Sequence, residues 1–277
     1  MKSLAKIQIQ QIDNFILPDQ KKAYFASDLH LGLYPYDKSS LRERVFVRWL
    51  DQIKDDVGAL FLVGDIFDFW YEYRKVTSRG FVRFLGKLCE ITDRGIPVFY
   101  FTGNHDVWVF DYLPTETGVK VFYNAVEIEI NHHKFVVGHG DGLGSGDLGY
   151  KLLRKAFYSK FLQFLFSRLH PNFAYYLGHT WSKQSRLSKG VFEPFLGLEK
   201  EHQILFAREY LKQKQADYFV FGHRHIPMDI KLNGNSRLIN LGEWIINNTY
   251  AVFDGQNMEL LSFHDKNEEK KVNIIKM

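Results

Sequence analysis

Short apolar runs alternate with amphipathic stretches along this chain, and five of the runs end in a tight cluster of Gly, Asp, Asn and His. This arrangement limits the fold more than any other feature. The clusters are Ser27-Asp28-Leu29-His30 after KKAYFA, Gly64-Asp65 after ALFLV, Gly103-Asn104-His105-Asp106 after VFYFT, Gly138-His139-Gly140-Asp141 after KFVV, and Gly222-His223-Arg224-His225 after YFVF. β-Branched and aromatic content marks the runs as strands. Strands are expected at 22–27, 59–63, 98–102, 125–130, 134–137, 218–221, 228–232, 238–241 and 250–253, with helical periodicity at about 40–54, 78–94 and 198–213. Such alternation predicts an α/β fold with some parallel sheet. Open α/β sheets place their sites at the C-terminal ends of strands, where all five clusters fall. Glycines at four of these turns are expected to let the backbone bend sharply.

The side chains in the clusters favour metal chemistry. Asp28, His30, Asp65, Asn104, His139, His223 and His225 form a mixed oxygen and nitrogen donor set without thiolate. Such a set suits Mn²⁺, Fe²⁺, Zn²⁺ or Mg²⁺ rather than a Cys-rich structural zinc. Seven ligands exceed the need of one ion and fit two, about 3.5–4 Å apart, sharing one carboxylate. Any single cluster is as well explained by a turn whose Asn or Asp bonds its own backbone. Five in succession, each after an apolar run, are not.

Charge is uneven. Residues 148–192 hold eight Lys or Arg, eleven aromatics and no Asp or Glu, in a chain whose formal net charge is only +4. The stretch YKLLRKAFYSKFLQFLFSRL reads as continuous helix, with 147–192 a helical insertion between two strands of a single domain spanning 1–277. A basic, aromatic-rich block points to an anionic partner with an apolar part, and anionic lipid fits best. A solvated helix face is the plainer alternative, and stacking on bases a third. The lone Cys89 excludes an internal disulfide, and its setting GKLCEIT predicts a buried thiol. No apolar leader region is evident, and no run approaches the roughly 18 residues of a spanning helix. A cytoplasmic protein, free or lying on the inner face of the membrane, is expected.

The five clusters together resemble the calcineurin-like metallophosphoesterases, with their D-x-H, GD, GNH[DE], glycine–histidine and GH-x-H signatures, over about residues 22–245. The resemblance implies a four-layer α/β/β/α sandwich with a dinuclear metal centre. One ion would take Asp28, His30, Asp65 and His225, and the other Asp65, Asn104, His139 and His223, with Asp65 bridging. GDIFDFW at 64–70, HGDGLGSGD at 139–147, the helical block, GHRHIP at 222–227 and LGEW at 241–244 resemble more closely the UDP-2,3-diacylglucosamine diphosphatases of lipid A synthesis. Those enzymes are similar in carrying a helical cap, which here would be 147–192. The resemblance implies two divalent ions, most simply Mn²⁺, and a glycolipid–nucleotide substrate. It places Asn104, His105, Asp147, Ser182, Arg186, Lys189 and His223 against that substrate, with His105 in catalysis to orient the phosphate or protonate the leaving group, and Asp106 beside it either holding the His105 tautomer or capping the turn. Where those enzymes usually carry Arg, this chain has His105, as the wider superfamily does. A phosphoesterase for another phosphodiester, nucleotide or phosphomonoester is therefore the second reading. Neither a nucleic acid nor an obligate protein partner is expected.

Other candidates are set aside. His132 and His133 fall in an expected hairpin turn, His170 and His179 in surface or helix-end positions, and His202 and His264 lack any partner pattern. Asp68 and Trp70 are expected to support Asp65 or simply end a strand. Asp141 is placed next to a metal-binding His or left without a role, and Glu243 and Trp244 are assigned to packing.

Overall fold

The computed structural model describes residues 9–143, 148–189, 194–264 and 272–277, with the side chains of 148–151 and 185–189 outside that description. In chain order its elements are β1 (Gln10–Gln11), β2 (Lys22–Ala26), α1 (Tyr36–Ile53), β3 (Val57–Val63), α2 (Val82–Asp93), β4 (Val98–Phe101), α3 (Tyr112–Thr117), β5 (Lys120–Phe122), β6 (Val126–Ile130), β7 (His133–Val137), α4 (Leu148–Tyr158), α5 (Lys160–Phe166), α6 (Pro171–Lys189), α7 (His202–Leu211), β8 (Tyr218–Phe221), β9 (Pro227–Lys231), β10 (Arg237–Leu241), β11 (Thr249–Phe253), β12 (Met258–Ser262) and β13 (Ile275–Lys276). They form two sheets, ordered β12-β11-β2-β3-β4-β5 and β1-β6-β7-β8-β10-β9-β13.

Side-chain alternation explains how the layers stack. In β3, Leu60 and Leu62 face α1 and α2, while Ala59, Phe61 and Val63 face the second sheet. The strand is therefore buried on both sides and reads as a continuous apolar run. Helix α1 spaces Phe46, Trp49, Leu50 and Ile53 along one face, and all four are buried against the first sheet. Between the sheets, Phe25, Phe61 and Phe99 occupy paired positions on β2, β3 and β4, with adjacent ring centroids 4.5 Å apart. Phe25 also meets Phe135 of the second sheet at 6.0 Å. Helix α7 packs Ile204, Ala207 and Tyr210 on the outer face of that sheet. The result is the expected α/β/β/α order.

Three differences from the sequence reading have local causes. The stretch from 148 is not one helix. Ser159 is extended and its hydroxyl accepts from the Leu162 N–H, starting α5, while Pro171, which lacks an N–H, opens α6. Cys89 is only half-buried rather than enclosed. His133 begins β7 rather than sitting in the turn, which is formed by Asn131 and His132. Among the described residues no helix is long and apolar enough to cross a membrane.

Candidate metal centre

Strands β2, β3 and β4 run parallel in one sheet, and β7 and β8 run parallel in the other. The loops that follow their C-terminal ends carry all five clusters. Asp28, His30 and His225 bring one ligand atom each within 4.8 Å of one another, as do Asp65, His139 and His223. In the first group, His225 Nε2 lies 3.1 Å from Asp28 Oδ1 and 3.1 Å from His30 Nε2. Asp65 Oδ2 stands between the groups, 3.3 Å from His139 Nε2 and 3.8 Å from His30 Nε2. One Asp65 oxygen thus stands near a donor of each group. Asn104 lies between Gly103, whose backbone abuts Asp65, and His105, whose N–H donates to Asp65 Oδ1 at 2.9 Å.

The donor set fits two cations. Asn104 Oδ1 and His139 Nε2 are buried without a well-formed hydrogen bond, which is costly unless something else satisfies them. The backbone is also strained at the centre itself. Asp28, His30, Asp65, His223 and His225 all take positive φ, between 46° and 71°. Non-glycine residues adopt this region at an energetic cost, and such strain gathers at functional sites. Gly64, at φ 83°, bends as the sequence suggested, while Gly103, Gly138 and Gly222 do not take positive φ and these Asp and His residues do. Gly103 instead provides space, because a Cβ there would stand 2.1 Å from Asp65 Oδ1.

Burial and charge divide the histidines. Burial holds His30 and His223 down at about 4, so both are neutral at pH 7. Burial also opposes charge on His139, but Asp65 and Asp28 outweigh it and raise His139 well above its usual range. His225 is raised in the same way, chiefly by Asp28. Against their own burial, Asp65 is held well below the usual carboxylate range by His139 and His105, and Asp28 is lowered by His225. A bound cation must displace the protons on His139 and His225. Metal binding should therefore release protons and tighten as pH rises. Calorimetric titration in buffers of different ionisation enthalpy should show net proton release at pH 7, and zero release would contradict this charge assignment.

His105 and Asp106 do different things. Asp106 is fully buried and accepts from the N–H groups of Gly103 and Ile66 at 2.7 and 2.8 Å, and from the Tyr100 hydroxyl at 2.6 Å. Of the two roles the sequence offered, it takes the turn-capping one. The His105 ring is held elsewhere. Its Nδ1 lies 3.0 Å from the Asp68 carbonyl and 3.1 Å from the Ser182 hydroxyl. A carbonyl only accepts, so Nδ1 carries the hydrogen. Nε2 is thereby turned to the centre, 4.0 Å from Asp65 Oδ2.

Asp68 was expected in a supporting place, whereas the contacts of His179, Arg42 and Glu72 were not legible in the sequence. Asp68 turns to His30 rather than Asp65, with Oδ1 3.4 Å from His30 Nδ1. His179 is not at a helix end but in the body of α6, 3.6 Å from Asp68 Oδ2. Arg42 donates to the carbonyls of Leu29 and His30. Glu72 accepts from four successive N–H groups, Phe110 to Leu113, and from Trp70 Nε1. Glu243 and Trp244 serve packing, as expected: Glu243 caps the 245–247 turn and Trp244 lies in the core. Arg154 Nε is 3.7 Å from Asp141. Asp147 lies outside the described residues, as do the side chains of Arg186 and Lys189.

The strand-end donor clusters and the two-sheet sandwich define a metallophosphoesterase. Residues 21–227 match the calcineurin-like phosphoesterase family, and the chain belongs to that family. It is a hydrolase, and the family implies divalent metal ions. The chain is 35% identical over 259 residues to the UDP-2,3-diacylglucosamine hydrolase of Porphyromonas gingivalis, covering 89% of this chain and 99% of the relative. It is 27% identical to the protein of the same name from Vibrio atlanticus, covering 86% and 96%. Among solved structures it is similar to a phosphoesterase from E. coli, at 14% identity and a TM-score of 0.39, covering 83% of this chain and 87% of that one.

Proposed function

We propose that this protein hydrolyses the pyrophosphate of UDP-2,3-diacylglucosamine, giving UMP and 2,3-diacylglucosamine 1-phosphate, in lipid A synthesis. The observation that carries the reading is the 35% identity to a hydrolase of that name along 99% of its length. Two divalent ions, most simply Mn²⁺, would be held by Asp28, His30, Asp65 and His225 and by Asp65, Asn104, His139 and His223. When bound they polarise phosphoryl oxygens and bring a water towards its hydroxide at neutral pH. The chain's own residues do the rest. Asp65 fixes the spacing of the two halves. His105, with Nδ1–H anchored, turns Nε2 to the phosphoryl group, and with both ring nitrogens carrying hydrogen its Nε2–H would donate to a phosphoryl oxygen and stabilise charge there. A departing phosphate monoester is already a good leaving group, so His105 serves orientation and charge more than full proton transfer. Asp106 holds the loop that carries Asn104 and His105.

In this reading, helices α4 to α6 form a cap over the centre. Phe161, Phe173, Tyr176 and Trp181 are exposed there beside the exposed cations Lys160, Arg168 and Lys183. Apolar surface edged by cations suits acyl chains and an anionic membrane face. The substrate contacts would include Arg186 and Lys189 from α6, Asp147 before α4, and His223. We place the protein in the cytoplasm, bound peripherally to the inner face of the inner membrane. With saturating Mn²⁺, kcat/KM for UDP-2,3-diacylglucosamine should exceed that for UDP-N-acetylglucosamine by at least about 100-fold, because several buried CH₂ groups supply the difference at roughly 0.8 kcal/mol each. Equal activity on the two would overturn the substrate assignment in favour of a general phosphoesterase. Flotation with anionic liposomes should recover the protein at low salt and lose it at high salt; no flotation at low salt would refute membrane binding.

A further inference from the structure

We propose that His179 and Ser182 of α6 are positioning residues, through which the cap sets the geometry of His30 and His105. The inference rests on the phosphoesterase reading of the centre, and not on which lipid it cleaves.

One face of α6 is fitted to the loop that follows Asp65. Tyr175, Gly178, His179 and Ser182 follow helical spacing and share that face. The Tyr175 hydroxyl donates to the Tyr71 carbonyl at 2.8 Å and accepts from Ser78 at 2.7 Å. Gly178 lets the helix lie directly on the Phe69 ring, since a Cβ there would stand 2.4 Å from ring atoms. His179 follows, its ring between Phe69 and Tyr36 at centroid distances of 5.9 and 6.3 Å.

Residue 68 is what this face grips. The Asp68 carboxylate is 2% exposed, and a carboxylate so buried needs partners for both oxygens. Oδ1 lies 3.4 Å from His30 Nδ1 and Oδ2 lies 3.6 Å from His179 Nδ1. Both are polar contacts somewhat longer than an ordinary hydrogen bond. One carboxylate therefore joins a candidate metal ligand to the cap. The Asp68 carbonyl meets His105 Nδ1, and Ser182, itself 2% exposed, places its hydroxyl 3.1 Å from the same nitrogen. The cap thus touches both groups that residue 68 orients. Outer partners of this kind fix ring orientation and raise ligand basicity. A hydroxyl satisfied by His105 in the resting protein differs from one waiting for substrate, and the difference can be measured.

The experiment uses the full chain with His179→Ala, His179→Asn and Ser182→Ala. The asparagine amide can donate from near the place of Nδ1. Mn²⁺ affinity, measured by calorimetry without substrate, should weaken about 10–100-fold in His179→Ala. His179→Asn should recover most of it. Ser182→Ala should keep metal affinity and KM while kcat falls. Wild-type affinity in His179→Ala, or His179→Asn as weak as the alanine variant, would overturn the role of His179. A raised KM with unchanged kcat in Ser182→Ala would make Ser182 a substrate contact instead. The metal titration involves no lipid, so failure of the glycolipid assignment would leave its result standing.

Discussion

Replacing Asp65 with alanine will abolish paired metal binding and reduce hydrolysis by about 10³-fold or more, since metal stabilisation of several kcal/mol converts at 1.36 kcal/mol per decade. The reason is geometric. Asp65 Oδ2 is the oxygen that approaches both halves of the centre, 3.3 Å from His139 and 3.8 Å from His30. Without it, each half keeps only part of its donor set, and no anion separates the two cations. Unfolding is controlled for by Asp65→Asn. That variant keeps an oxygen for the His105 N–H, now at 2.9 Å, but loses the charge. It should fold, melt cooperatively and still bind fewer than two ions. Full metal content with full activity in either variant would show that the bridge lies elsewhere.

The largest expected loss of stability comes from a residue outside the donor set. Glu72 is 5% exposed, and its carboxylate collects the first N–H groups of the 110–113 turn. The Tyr112 and Leu113 N–H groups are donors that a starting helix leaves unpaired, and a carboxylate there also meets the positive end of α3. Its Oε1 further accepts from Trp70 Nε1 at 3.0 Å. Glu72→Ala would leave these donors, buried at Leu113 and Trp70 and part-buried from Phe110 to Tyr112, without their acceptor, which we expect to cost about 3–5 kcal/mol. Glu72→Gln, which keeps an acceptor, should cost less than half of that. Because Glu72 ties the loop after β3 to the loop after β4, the alanine variant should also lose metal affinity. Chemical denaturation followed by tryptophan fluorescence measures the first effect. A loss below about 1 kcal/mol would show that water replaces the carboxylate.

What could be read from the sequence was whatever leaves a local pattern. The strands next to the centre are short apolar runs, and their donors follow within a few residues. Asp28, His30, Asp65, Asn104, His139, His223 and His225 were therefore visible as a set before any contact was known. Edge elements were not. Lys120–Phe122 is too short for a pattern, and Met258–Ser262 exposes alternate residues as an edge strand does. The supporting side chains were hidden for another reason. Glu72 meets its partners about 40 positions away, and Asp68 meets His179 more than 100 positions away, so spacing carries no trace of either. Nearness in sequence left two roles open: Asp106 adjoins His105 but turns its carboxylate to Gly103, Ile66 and Tyr100. The break between α4 and α5 turns on Ser159 alone, within a stretch whose apolar residues are dense enough to suggest unbroken helix.

Anomalous diffraction at the manganese edge, from crystals grown with excess Mn²⁺, tests the central claim directly. Two peaks about 3.5–4 Å apart should appear, one beside Asp28, His30 and His225 and one beside Asn104, His139 and His223, with Asp65 between them. A single peak, or peaks away from these side chains, would contradict it.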